Sequence, residues 1–232
     1  MSRFFVVGNG PSLLDTPLDK LIGENSVGLN RIHLMYDKTD WRPTYYVKTD
    51  HNPHLVNMWA EETMLQINLG IKCYLWEAFR DGLPEDHCNN ETLPVGIGDF
   101  PNVTWIPRCK HHGIPSYSSP HNGRALKWHL PEICSAYSGI GPAIQVAVLN
   151  GATEIYLLGC DLGYGREKGL DHCSPEYSLD SRILGEFDTS EVTEAHILAK
   201  NSSPVPIYNA TVGGDLEIHP RVDINEVLSG NL

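Results

Sequence analysis

Residues Ile133 to Tyr164 read ICSAYSGIGPAIQVAVLNGATEIYLLGCDLGY, and this stretch decides the fold. Ile140, Ala143, Ile144, Ala147 and Val148 recur at the spacing of one helix face, so an apolar stripe runs along that face and calls for a sheet beneath it. Gly141 before Pro142 suits a helix start, because proline forfeits no hydrogen bond in the first turn. Gly151 supplies the residue free to take positive φ at the end. The pattern predicts a helix from Pro142 to Asn150. Glu154 to Leu158 is almost wholly apolar, as expected of a parallel strand covered on both faces. Gly159 to Asp161 then falls at the carboxyl end of that strand, where open α/β sheets bind ligands.

The same grammar extends outward. Phe4 to Val7 is a buried strand that runs into Gly8, Asn9, Gly10, Pro11 and Ser12, a tight turn and a helix start of the kind that cradles phosphate. Ser26 to Leu29 is a second strand ending in Asn30 and Arg31, and Thr44 to Lys48 a third ending in Thr49 and Asp50. Leu55 to Leu69 reads as a helix closed by Gly70, Lys72 to Trp76 as a strand, and Val103 to Ile106 as another. Glu191 to Lys200 reads as a helix, Val205 to Tyr208 as the last strand, and Val222 to Leu228 as a short closing helix. The expected class is α/β, a Rossmann-like, mostly parallel sheet with helices on both faces. The chain forms one domain, with residues 77–132 an irregular insertion or lid within it. Parallel strands bring their carboxyl ends to one rim, so Asn9, Asn30, Asp50 and Asp161 should share a ligand edge; for each alone, capping a turn is the commoner role.

Composition narrows the classes. With 232 residues, 41% of them hydrophobic and 20% charged, the chain can bury one sizeable core without staples. A net charge of −12 and a pI near 5.3 repel a phosphate backbone, so no nucleic-acid partner is expected. Cys73, Cys88, Cys109, Cys134, Cys160 and Cys173 form no CxxC pair, which points to reduced thiols and a cytoplasmic setting. The opening MSRFFVVGNG is too poor in apolar residues for a signal peptide, and no apolar run is long enough to span a membrane. His111, His112, His121 and His129 lie between Pro107 and Pro131 without a metal-ligand spacing, so no metal site is expected. Gly163 to Tyr177 joins flexible glycines to Tyr164, Asp171 and His172, and predicts a mobile loop over the rim.

Several of these motifs carry a family resemblance. VVGNGPSL, the Asn30 strand end, the Ser138-Gly139 pair and EIYLLGCDLGY resemble the bacterial family-42 sialyltransferases. GCDLGYGREKGLDH followed by IYNATVGGDLEIHP looks like the motility-accessory-factor family, with its NAT-GG signature. Both imply a Rossmann-like sheet. The sialyltransferases imply a CMP-activated nine-carbon sugar as donor substrate, no cofactor and no metal. The resemblance makes Gly8, Asn9 and Gly10 the nucleotide-phosphate loop, Asn30 a second donor contact, and Ser138 with Gly139 the seat of the donor carboxylate at a helix N-terminus. Asp50 stands where those enzymes have asparagine, which brings a negative charge toward the donor. Their arginine three residues before the serine is replaced by Ser135, and Arg31 is the expected substitute. Tyr164 and Tyr177 correspond to tyrosines on the leaving phosphate, and His172 to the general base.

The leading expectation is therefore a sialyltransferase-like glycosyltransferase moving a nonulosonic acid to a glycan or other hydroxyl acceptor. A pterin-type pyrophosphokinase using ATP and Mg²⁺, and a non-catalytic nucleotide-binding module, are the alternatives. Expected partners are the nucleotide-sugar donor and the acceptor, with homo-oligomer formation left open.

Overall fold

The computed structural model describes residues 2–49, 60–81, 96–107, 126, 128–130, 133, 138–163, 171–178 and 189–230. Within them, a 7-stranded sheet is formed by β1 (Arg3–Val7), β2 (Asn25–Leu29), β3 (Tyr45–Lys48), β4 (Lys72–Trp76), β5 (Val103–Ile106), β6 (Glu154–Leu158) and β7 (Ile207–Asn209). Their order is β5-β4-β3-β2-β1-β6-β7, and every pairing is parallel. The chain walks from β1 outward to β5 and then returns to the opposite side of β1 as β6. That reversal makes the β1/β6 boundary the switch point of the sheet, where a crevice opens beyond the carboxyl ends.

Alternation along each strand divides the core in two. Phe4, Val6, Val27, Leu29, Tyr45, Val47, Ile155 and Leu157 face one layer, built from α3 (Ile140–Leu149) and α4 (Thr189–Ser202). Phe5, Val7, Tyr46, Cys73, Leu75, Tyr156 and Leu158 face the other, covered by 3₁₀ turns, α1 (Ala60–Asn68) and α5 (Ile224–Ser229). Helices thus lie on both faces of a Rossmann-like parallel sheet, as the sequence predicts.

Element ends differ from the sequence reading where caps intervene. The α3 helix starts at Ile140, so Gly141 and Pro142 are buried in its first turn, and Gly151 leaves it with φ 91°. Asp223 accepts from Asn225 N at 2.7 Å and delays α5 to Ile224. The helix expected behind the first turn is a five-residue 3₁₀ helix, Pro11–Asp15, followed by a second over Leu18–Leu21. Pro17 explains the break: it holds Thr16 extended, at φ −87° and ψ 129°, and removes a helix donor. Of the helix expected from Leu55, the described part is Ala60–Asn68. From the stretch 77–132, α2 (Ala78–Asp81) and edge strand β5 are described, and residues 82–95 and 108–125 lie outside the described residues.

Among the described residues, no helix is long and apolar enough to cross a membrane. Cys73, Cys160 and Cys173 are buried free thiols. Burial pushes Cys73 up to about 12 and Cys173 up to about 11.

The α4 helix is tied to the segment after β7 by a buried pair, His196 Nδ1 and His219 Nε2, 3.2 Å apart with rings at 69°. One ring donates to the other, so the acceptor must be neutral. Burial lowers His196 to about 3 and His219 to about 4, from an unfolded value near 6.5. Between those values the unfolded chain binds protons that the folded chain refuses, so stability is full above about pH 6.5 and is lost as the pH falls. Urea titrations should show unfolding free energy dropping between about pH 6.5 and 5, by up to about 1.4 kcal/mol per unit for each histidine. His196→Asn with His219→Asn should make that slope shallower; an unchanged slope would assign it to other groups.

Candidate functional site

The rim at the carboxyl ends of β2, β1 and β6 gathers most of the residues singled out in the sequence. Asn9 leaves β1 and donates from Nδ2 to Leu29 O at 3.1 Å, which ties the ends of β1 and β2 together. Its Oδ1 is buried and accepts no hydrogen bond among the described residues. Asn30 follows β2 with φ 50°, a left-handed conformation that asparagine tolerates better than other side chains except glycine. The N-terminus of α3 meets it directly: a Cβ at Gly139 would lie 2.9 Å from Leu29 Cδ1 and 3.2 Å from Asn30 Nδ2. Ser138 Oγ accepts from Ile140 N at 3.3 Å and so closes one orphan donor of that helix start.

The β1 turn is organised by packing on β6. Gly8 N donates to Leu158 O at 2.8 Å and Gly10 N to Gly159 O at 2.9 Å. A Cβ at Gly8 would lie 2.5 Å from Gly159 O, and one at Gly10 would lie 1.7 Å from Asp161 Oδ2. Both glycines are demanded by this close approach, and both amides already bond inside the protein. The anion at the start of the 3₁₀ helix is the chain's own: Ser12 N and Oγ donate to Asp161 at 3.3 and 2.8 Å. Asp161 therefore caps the first turn, which corrects the reading of that turn as an open phosphate cradle. Burial raises the Asp161 carboxyl, against the hydrogen bonds from Ser12 that favour its charged form.

Behind Asp161 lies the stretch Asn209 to Asp215. Thr211 Oγ1 accepts from Cys160 N at 3.1 Å, Asn209 Oδ1 accepts from Thr211 N at 3.0 Å, and Asp215 N donates to Asp161 O at 2.6 Å. Gly214 has φ 71°, and a Cβ there would fall 2.8 Å from Asp161 Cα. The stretch carries the NAT-GG signature noted in the sequence. Its conformation braces Cys160 and Asp161 against the first turn.

Residues Asp171 to Ser178 lie on the rim over β1 and β2. Cys173 N donates to Asn9 O at 2.8 Å, and Lys38 Nζ reaches Cys173 O at 3.4 Å. His172 stacks on Tyr177 with ring centroids 3.7 Å apart, and Tyr177 Oη sits 3.5 Å from Asn30 Nδ2. Of the loop expected over Gly163 to Tyr177, residues 164–170 lie outside the described residues, and the described part ends in a 3₁₀ turn at Pro175–Ser178. Burial lowers His172 to about 4, outweighing Asp171, which raises it, and Arg31 adds to the lowering. His172 is neutral at pH 7.

Arg31 does not point a free guanidinium at the crevice. It is buried, and its Nε donates to Glu62 Oε1 at 2.9 Å, joined there by Nη2. Nη1 donates to the carbonyls of Glu176 and Tyr177, the latter at 3.0 Å. The expectation that Arg31 substitutes for a carboxylate-binding arginine gives way to an internal clamp, because no separate face of the fork is turned to a ligand by these contacts. Glu62 carries no motif that would mark it in the sequence. Lys48, 1% exposed at the end of β3, is equally unmarked, since a strand pattern predicts only that its position is inward.

Asp50 and Tyr164 lie outside the described residues. Asn9, Asn30, Ser138, Gly139, His172 and Tyr177 are brought together on one side of the rim, with Gly8, Gly10 and Asp161 adjoining at the β1/β6 boundary. Among the described residues no group of three or more His, Cys, Asp or Glu is placed to hold a metal ion.

No protein-family model matches the sequence, and no curated protein matches it. Solved structures of glycosyltransferases share the fold. The MAf glycosyltransferase of Magnetospirillum magneticum AMB-1 aligns at 14% identity with a TM-score of 0.51 over 96% of this chain and 33% of that one. The sialyltransferase CstII of Campylobacter jejuni, in complex with cytidine-5'-monophosphate, aligns at 13% identity with a TM-score of 0.53 over 97% of this chain and 86% of that one. The chain thus spans about a third of the length of the first and most of the second.

Proposed function

We propose that this chain is a glycosyltransferase of the nonulosonate type, taking a CMP-activated sugar as donor and a hydroxyl as acceptor, without a metal. The observation that carries this reading is Asn9 Oδ1, a buried acceptor lacking a hydrogen bond among the described residues where the carboxyl ends of β1 and β2 meet, with the segment that bears a neutral histidine bonded to Asn9 O. A buried acceptor costs free energy until a donor reaches it, and a nucleoside offers amine and hydroxyl donors of the right kind. The likeness of fold to two glycosyltransferases, one holding CMP, supports the same assignment.

In this reading Asn9 and Asn30 hold the nucleoside side of the donor. The α3 N-terminus at Ser138 and Gly139 faces the donor carboxylate, where partial positive charge from the helix favours an anion. The acceptor oxygen attacks the anomeric carbon as the bond from that carbon to the phosphate oxygen breaks. His172 takes the acceptor proton, and CMP leaves with the bonding electrons. Tyr177, with Tyr164, donates hydrogen bonds to the phosphate as charge develops on it.

A thermal-shift panel of CMP, CDP, UDP, and ATP with Mg²⁺ tests the assignment. CMP at about 100 times its dissociation constant should add about 2.7 kcal/mol of stability. Asn9→Ala should weaken CMP binding about tenfold, the loss of about one hydrogen bond. A shift with ATP and Mg²⁺ but none with CMP would favour the pyrophosphokinase instead.

A further inference from the structure

The seat of His172 depends on contacts from outside its own segment. Asp171–Ser178 contains a short 3₁₀ turn at Pro175–Ser178, and its stacked pair, His172 on Tyr177, overlies the end of β2. Three parts of the fold meet at one side chain beneath it. Arg31 leaves β2, binds Glu62 of α1 through Nε and Nη2, and binds the carbonyls of Glu176 and Tyr177 through Nη1. The guanidinium carbon also lies 5.9 Å from the Tyr177 ring centroid. Glu62 Oε1 is in turn 3.5 Å from His33 Nε2.

We propose that Arg31, oriented by Glu62, is a positioning residue that holds the His172–Tyr177 pair over the crevice. A planar fork does this where an ammonium cannot: one edge engages the carboxylate while the remaining nitrogen engages two consecutive carbonyls. The carbonyls fix the backbone on which Tyr177 stands, and Tyr177 fixes the plane of His172 by stacking. Glu62 neutralises the buried guanidinium and sets its rotation. Arg31 then acts on chemistry through His172 and touches no substrate. This inference rests on His172 being the base, so its test includes measurements that need no turnover.

The test uses the full chain as wild type, Arg31→Gln, Arg31→Lys and Glu62→Gln, each first shown to be folded by circular dichroism and thermal melting. The histidine C2–H resonance of His172 is titrated by NMR, and cleavage within residues 171–178 is timed under limited proteolysis. The charged groups bearing on His172 among the described residues are Asp171 and Arg31, with Glu176 in its own segment, Lys38 on the Cys173 carbonyl, and Glu62 and His33 across the guanidinium. In Arg31→Gln the His172 titration should move up by at least about one pH unit, because a nearby cation and the buried seat are both lost. Cleavage should quicken in Arg31→Gln and Glu62→Gln alike. Release of CMP from CMP-N-acetylneuraminate should fall at least about tenfold in both, with CMP affinity by calorimetry within about threefold of wild type. Arg31→Lys keeps the charge but not the fork, and should restore neither turnover nor protease resistance. A folded Arg31→Gln protein with an unchanged His172 titration and unchanged cleavage would overturn the proposal. If wild-type protein fails to bind CMP, the functional reading falls, while the titration and cleavage measurements still decide the positioning role.

Discussion

His172→Ala should lower glycosyl transfer by at least about 10²-fold while leaving CMP affinity within about threefold of wild type, because a general base acts in the transition state and not on the bound nucleotide. The structure sharpens this expectation. The ring is stacked 3.7 Å from Tyr177 and held near the end of β2, and burial keeps it neutral, with a value lowered to about 4. The sign of the pH dependence follows. Protonation disables a base, so a group titrating near 6.5 would cost activity at mildly acidic pH; lowered to about 4, the free enzyme should hold kcat/KM down to about pH 5. A profile whose acid limb sits near 6.5 would contradict the buried placement. His196 is the informative contrast. It is paired with His219 inside the core, so its replacement should cost stability and leave the turnover of the remaining folded protein unchanged. Full transferase activity in His172→Ala would move the base elsewhere and remove the main catalytic support for the assignment.

Gly8→Ala should destabilise the fold by about 3 kcal/mol or more and abolish nucleotide binding with it. The added methyl would sit 2.5 Å from Gly159 O, 3.1 Å from Gly159 C and 3.3 Å from Cys160 Sγ. Two of those atoms are backbone at the end of a buried strand, so neither can turn aside as a flexible side chain would. Relief requires β1 and β6 to part at the switch point, which breaks the bond from Gly8 N to Leu158 O. Gly10→Ala offers a graded comparison, because its added methyl would lie 1.7 Å from Asp161 Oδ2 as well as 2.8 Å from the backbone Gly159 O, so only part of its clash is with a side chain. That carboxylate can rotate, but only by releasing Ser12. The Gly10→Ala cost should therefore shrink when Asp161→Ala is added, a coupling visible in a double-mutant cycle, whereas the Gly8→Ala cost should persist. Melting temperatures and urea midpoints measure both. A Gly8→Ala protein as stable as wild type would show that the two strand ends do not approach as described.

Local pattern was enough to read the sheet. The runs at Lys72–Trp76, Val103–Ile106 and Glu154–Leu158 mark β4, β5 and β6 to the residue, because short stretches rich in apolar, aromatic and β-branched side chains suit a pleated sheet. The stripe from Ile140 to Val148 likewise required a helix on that sheet, and parallel strands required Asn9 and Asn30 to share a rim. What the pattern could not determine is which polar groups at that rim remain open to a ligand. Asp161 and Ser12 are 149 positions apart, and Arg31 lies 145 and 146 from the carbonyls it binds and 31 from Glu62. A hydrogen bond between such residues leaves no period or spacing in the chain. Tertiary packing therefore turned a phosphate-like first turn into one capped by the protein's own carboxylate, and turned Arg31 from a ligand arginine into a clamp. It also decided the state of His172, since Asp171 is its sequence neighbour but the burial that outweighs that charge comes from the folded surroundings of the whole segment.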